Sequence, residues 1–300
     1  MRVRTDNNPY PVSREYVRVT AETLRPFIET TGTGKRKLVV CSRDAEGPLE
    51  AMLAETFEAQ SLEVTAEPDG GDSPALALES PDEDTLVALL EVDGTGEESV
   101  VATSTVMELY DALLAIYSDL FVTGAQGLGD IELPDVLAAL DDFRLVVRGY
   151  PIAHKAKFLL IIISRYIEQL AWETGAGTLR SSFQDLSRVV DEVGTYEVYD
   201  MLGDTDVDVT LYGEGSNDDP IVRRLEDELG VSARVGETQE HRDAWFVVYR
   251  PPDATSHPSV VDIQGAALVC LETEPRVWDG FWTYDSDSVG AIERYIATEL

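Results

Sequence analysis

The hydrophobic positions of this chain change period along its length, and the longest coherent pattern lies between Ala153 and Gln184. Phe158 to Ile163 is a continuous apolar run, followed by Ile167, Leu170 and Ala171 at helical spacing. The pattern predicts a long helix over Lys155 to Thr174. At about 1.5 Å per residue it spans roughly 30 Å, a small-domain diameter and also a bilayer thickness. Lys155, Lys157, Arg165, Glu168 and Glu173 interrupt it, whereas a spanning helix needs about 20 mostly uncharged residues. The expectation is therefore a buried core helix and no membrane span. Arg165 and Glu168, three apart, share a face and can pair. Gly175 and Gly177 end the helix, Gly175 in a left-handed cap, and Thr178 to Phe183 reads as a strand.

Shorter patterns flank this stretch. Ala21 to Thr30 predicts a short helix. Lys37 to Cys41 and Ser61 to Ala66 predict strands around a helix over Pro48 to Ala59, together a β-α-β unit with a parallel pair. Ala75 to Leu78 and Thr85 to Glu91 read as short strands, Val101 to Leu120 as a helix, Leu133 to Leu140 as a short helix and Asp142 to Val147 as a strand. Beyond Phe183, one helix is expected over Asp185 to Leu202. A strand follows over Asp206 to Tyr212, then a helix over Ile221 to Leu229, and strands over Val231 to Val235 and Ala244 to Tyr249. Val260 to Leu271 and Arg276 to Thr283 form a hairpin-like pair. Asp285 can cap a last helix with Val289, Ile292, Tyr295 and Ile296 on its apolar stripe.

These elements predict an α/β protein with mixed β-sheets flanked by helices, in which the long buried helix joins an N-terminal and a C-terminal α/β unit. The expected division is a loosely ordered N-terminus over 1–18, an N-terminal α/β domain over 19–145 and a C-terminal α/β domain over 146–300.

Charge changes the picture more than length does. The formal net charge is −34, with 57 acidic residues spread along all 300 positions. Lysine occurs only at Lys35, Lys37, Lys155 and Lys157. Carboxylates keep a surface solvated in molar salt, where the Debye length falls to about 3 Å. The composition therefore predicts the acidic proteome of a halophilic archaeon or similar microbe and a cytoplasmic location. The same charge disfavours direct nucleic-acid binding, which needs clustered Lys and Arg. The start MRVRTDNNPYP lacks the apolar core of a signal peptide. Cys41 and Cys270, in the runs LVVC and AALVC, are expected as buried free thiols.

Motif chemistry is mostly excluded. Gly32 to Lys37 (GTGKRK) fails as a phosphate loop: Glu29 occupies the opening glycine position and Arg36 that of Ser or Thr. Gly124 to Gly129 lacks the dinucleotide order of glycines. His154, His241 and His257 have no companions at ligand spacing, so no metal is expected. Ser164, Ser181 and Ser182 lack a nucleophile elbow. No catalytic residue is expected, and no cofactor is named. Trp172, Arg180, Gln184, Trp282 and Tyr284 stand out instead. They fall at the end of the long helix, on the strand after it and at the exit of the last strand, where α/β sheets form clefts. They are the candidate ligand site, with Arg180 pairing an anion; the alternative is that the aromatics are core and Arg180 pairs an acidic neighbour such as Glu168.

The run SRYIEQLAWETGAGTLRSSFQ resembles the signature of the DICT sensory domain: a helix with I-E and A-W, a G-x-G-T-L strand, and F-Q opening the next helix. The matching positions are Ile167, Glu168, Ala171, Trp172, Gly175, Gly177, Thr178, Leu179, Phe183 and Gln184. Two later blocks are similar to the same family: the strand Thr205 to Gly213, and Gly280 to Asp285 (GFWTYD). The resemblance covers about residues 145–300, and the preceding residues look like the extension of stand-alone haloarchaeal members. It implies a non-catalytic signal-sensing or regulatory protein that binds a small ligand or a protein partner in a signalling pathway. A homodimer stays open, as does a transcriptional regulator acting through protein contacts; an enzyme of nucleotide or phosphate chemistry is the third reading.

Overall fold

The structure, a computed structural model, describes residues 23–32, 34–41, 53, 62–67, 86–117, 128, 132–148, 154–252 and 265–300. The helix expected over Pro48 to Ala59 (Leu53 apart) and the strand over Ala75 to Leu78 lie outside them. Among the described residues the strands form two mixed sheets, one of four and one of seven strands, flanked by helices.

The smaller sheet holds β1 (Lys35–Cys41), β2 (Leu62–Glu67), β3 (Leu86–Val92) and β4 (Glu98–Thr105) in the order β2-β1-β3-β4. β1 and β2 are parallel, as the β-α-β pattern requires. Strand alternation gives the sheet two apolar faces: Leu38 and Val40 turn to the main core, Val39 and Cys41 to a second cluster with Ala88 and Leu90.

The helix expected over Val101 to Leu120 begins only at Val106. Val100 to Thr105 continues β4 against β3, and α2 runs Val106–Tyr117. The boundary is a capping box. Thr105 Oγ1 accepts from the Glu108 N–H at 3.2 Å, and Glu108 Oε2 accepts from the Thr105 N–H at 2.7 Å. α3 (Asp135–Ala138) follows Pro134.

The larger sheet begins with β5 (Leu145–Arg148) at one edge. α4 (His154–Thr174) is the long helix. Its Leu159, Leu160, Ile162, Ile163, Ile167 and Ala171 are buried in the main core. That core also takes Leu38 and Leu89 from the smaller sheet and Val247 and Leu268 from the larger one. β6 (Ala176–Ser182) leaves the helix through Gly175, whose φ is 65°. Gly177 has φ 107°, and a Cβ there would lie 2.5 Å from the Arg250 carbonyl, so only glycine fits this close strand crossing.

One helix was expected next; two are present. α5 (Ser187–Asp191) and α6 (Val193–Gly203) are separated at Glu192, which is extended at φ −99°, ψ 107°. The break lets Val189 and Val198 both reach the core. β7 (Asp206–Glu214), α7 (Pro220–Leu229) and β8 (Ser232–Gly236) complete a run in which β6, β7 and β8 are parallel neighbours. After the short α8 (Gln239–Asp243), β9 (Ala244–Arg250) pairs antiparallel with β6. β10 (Ala266–Glu274) and β11 (Val277–Thr283) form the expected antiparallel hairpin. The order is β5-β11-β10-β9-β6-β7-β8.

α4, α6 and α7 cover one face of this sheet. The other carries α9 (Ser286–Glu299), with Val289, Ile292, Tyr295 and Ile296 buried against Phe246, Val269 and Phe281. Asp285 caps α9, accepting from the Ser288 N–H at 2.8 Å. α1 (Arg25–Glu29) lies on this second face, with Leu24 and Ile28 in the same cluster. Cys41 and Cys270 are both buried. No described helix is long and apolar enough to cross a membrane.

Candidate functional site

The signature helix carries a charged constellation into the core. Arg165 and Glu168 do pair, Arg165 Nη1 donating to Glu168 Oε2 at 2.7 Å. Arg165 Nη2 donates to Thr195 Oγ1 at 2.7 Å, and the Tyr199 hydroxyl donates to Glu168 Oε1 at 2.6 Å. Thr195 in turn donates to Glu192 at 3.1 Å. Side-chain exposure is 12% for Arg165 and 2% for Glu168, so little solvent screens the pair. Burial works against the Arg165 charge, but Glu168, Tyr199 and Glu192 outweigh it and raise its pKa. Burial, with the Glu168 charge beside it, pushes the Tyr199 phenol well up. The network ties α4 to α6 and leaves no carboxylate oxygen of Glu168 without a donor.

Arg180 lies on the opposite face of the sheet. It does not pair with Glu168; Arg165 has taken that carboxylate. Arg180 Nε donates to Glu293 of α9 at 3.3 Å, Nη1 to Thr210 Oγ1 at 2.5 Å and Nη2 to Asp208 at 3.4 Å. Arg250, on β9, approaches the other Glu293 oxygen at 3.8 Å. Strand alternation in DVDVTLY places Asp208, Thr210 and Tyr212 on this face, which could have been read from the sequence. Glu293 also left a signal, a lone carboxylate in the apolar stripe of the last helix.

The other expected site residues disperse. Trp282 is 1% exposed in the main core, on the α4 side of the sheet and thus across it from Arg180. Its indole nitrogen has no hydrogen-bond partner among the described residues. Trp172 is half-buried against the same core. Tyr284 also packs there, its phenol pushed up by burial and by Tyr166 and Asp141. Gln184 occupies the turn after β6 at φ 56°, donating to Glu272 at 3.2 Å while its carbonyl accepts from the Glu214 N–H at 2.7 Å. Arg180 and Trp282 therefore cannot line one cleft, because the sheet separates them.

Near Tyr284, the Asp141 carboxyl is pushed up to about 6, first by burial and then by the neighbouring Asp142 charge; Arg36 opposes the shift. No group of three or more His, Cys, Asp or Glu side chains among the described residues could hold a metal ion.

No family model matches the chain. No curated protein matches it. Among solved structures it is similar to a polyphosphate kinase from Porphyromonas gingivalis at 10% identity, over 91% of this chain and 47% of that one, with a TM-score of 0.26. The chain thus spans less than half the length of that protein, and a likeness at this score carries no argument.

Proposed function

We propose that this chain is a non-catalytic sensory or regulatory protein of the DICT type, acting in the cytoplasm of a halophilic archaeon and binding a small ligand or a protein partner. The observation that supports the reading is convergence. The three separated blocks of resemblance supply α4 with β6, then β7, then β11 with the cap of α9, and all of these strands belong to one sheet. Their distinctive residues have structural work there. Glu168 anchors the buried network, Gly177 admits the β9 carbonyl, and Trp282 fills the core. Titratable groups tied into internal pairs are suited to holding a rigid body that reports binding.

The test is a thermal-shift screen of the full chain at molar salt against nucleotides, organic anions and tetrapyrroles, with recovery of native partners from the same salt. A ligand at a hundredfold its Kd adds about 2.7 kcal/mol, a shift of a few degrees. The expected result is one ligand class that stabilises, or one stoichiometric partner. Turnover of any ligand, or neither a shift nor a partner, overturns the reading.

A further inference from the structure

The short helix α8 carries a buried imidazole and, beside it, the carboxylate that ties α1 to the second face of the larger sheet. His241 is 5% exposed. Its Nδ1 lies 2.7 Å from the Thr238 hydroxyl, and Thr238 is also the N-cap of α8, its Oγ1 accepting from the His241 N–H at 3.4 Å. Its Nε2 is buried with no hydrogen-bond partner among the described residues. The ring sits against Gly236 of β8, where an added Cβ would come within 2.6 Å of it. The preceding residue is Glu240. Its Oε1 accepts from the Leu24 N–H at 2.6 Å and its Oε2 from the Tyr295 hydroxyl of α9 at 2.7 Å. The Phe27 ring of α1 meets Tyr295 edge-on, with centroids 6.2 Å apart. Glu240 is thus the polar point at which α1, α8 and α9 meet.

A neutral ring suits this seat and a charged one does not. With its proton on Nδ1, the ring donates to Thr238 and leaves only a bare lone pair at Nε2. A second proton charges the ring and turns Nε2 into a donor with no acceptor in reach. Burial accordingly lowers the His241 pKa from the ordinary 6.5. Glu240 and the Leu300 backbone act the other way, but less, and neither gives Nε2 a hydrogen bond. Arg242 on α8, Glu214 on β7, Arg234 on β8, Arg250 on β9, Glu272 on β10 and Glu299 on α9 carry the charges of the surrounding elements, and none adds to this balance. The seat therefore contributes its full stability above pH 6.5 and loses it as pH falls below that value. We propose that His241 is an acid-sensitive catch: when its ring takes up a proton from solvent, α8 leaves its place on the sheet, Glu240 lets go of Leu24 and Tyr295, and α1 is released from the second face. The change is local, because the strands beneath α8 keep their ladders. It does not depend on the sensory reading.

The experiment is amide hydrogen exchange of the full chain at fixed molar salt, at about pH 7.5 and about pH 5.5, corrected for the intrinsic pH dependence of exchange. It compares the wild type with His241→Phe and Glu240→Gln. In the wild type, residues 23–32 are expected to lose protection several-fold at the lower pH, to a ceiling of about tenfold set by a freed imidazole titrating at its ordinary value, while β9 and β10 keep theirs. His241→Phe occupies the same seat without a titrating group and holds residues 23–32 closed at both pH values. Glu240→Gln leaves the imidazole in place and lowers the protection of residues 23–32 at both, and it carries the test if His241→Phe fails to fold. Equal protection of residues 23–32 at the two pH values in the wild type, an equal loss in His241→Phe, unchanged protection in Glu240→Gln, or a loss shared by β9 and β10 overturns the proposal.

Discussion

Replacing Glu168 by alanine removes the acceptor for two donors at once. The Tyr199 hydroxyl at 2.6 Å and Arg165 Nη1 at 2.7 Å lose their partner, in a place where the carboxylate is only 2% exposed. Breaking a buried ion pair from one side costs about 3–5 kcal/mol, because the remaining charge stays desolvated. The stranded phenol adds to this in principle, since an unmet buried group costs about 1–3 kcal/mol, but the two losses overlap. Arg165 keeps Thr195 at 2.7 Å and the more distant Glu192 charge, which holds the total within the first range. Glu168→Gln keeps the shape and an oxygen for Tyr199, and falls between wild type and alanine. The double variant Arg165→Met, Glu168→Leu removes both charges and is expected to be more stable than Glu168→Ala. The assay is urea unfolding at fixed molar salt, with the slope checked so that differences in midpoint report stability. A Glu168→Ala cost under about 1 kcal/mol, or a double variant costing the sum of its singles, would show that the pair is not the anchor of α6 on α4.

Three further outcomes are expected. Asp141 has a folded pKa of about 6, above its ordinary 3.8, so its contribution to stability is full below about pH 4 and is lost as pH rises through 6. Asp141→Asn should therefore be more stable than wild type at pH 7 and lose that advantage by pH 4; Tm curves that run parallel across this window would refute the assignment. Gly280→Ala should lower Tm by several degrees, because a Cβ there meets Cys270 Sγ and the Val269 carbonyl, while Gly94→Ala, with open space around it, should not. Thr105→Ala should cost about 1 kcal/mol by opening the capping box at the start of α2, measured by urea unfolding; no loss would mean that Glu108 alone holds the helix end.

The helix from Lys155, the parallel pair β1 and β2, the β10–β11 hairpin, the Gly175 stop and the Asp285 cap were all legible in the sequence. Each rests on contacts within a turn or on side-chain periodicity, which neighbouring residues encode. The helix expected over Val101 to Leu120 is present, but its start was set too early because the apolar residues there suit both periods; Thr105 and Glu108 were the deciding signal. The continuous helix over Asp185 to Leu202 missed the break at Glu192, which serves the packing of α5 and α6 on the sheet and leaves no Pro to announce it.

The candidate site was the least legible part. Arg180 was expected to pair an anion or an acidic neighbour such as Glu168, whereas the structure pairs it with Glu293, 113 positions away. Trp282 and Arg180 looked like neighbours at strand ends but turn to opposite faces. By itself, the sequence determined most of the helices and strands, the acidic composition, and which residues are too polar or too aromatic to ignore. Only the tertiary structure decided which of those residues meet, because strand order and face are set by packing between segments far apart in the chain, and no local pattern records which strand becomes whose neighbour.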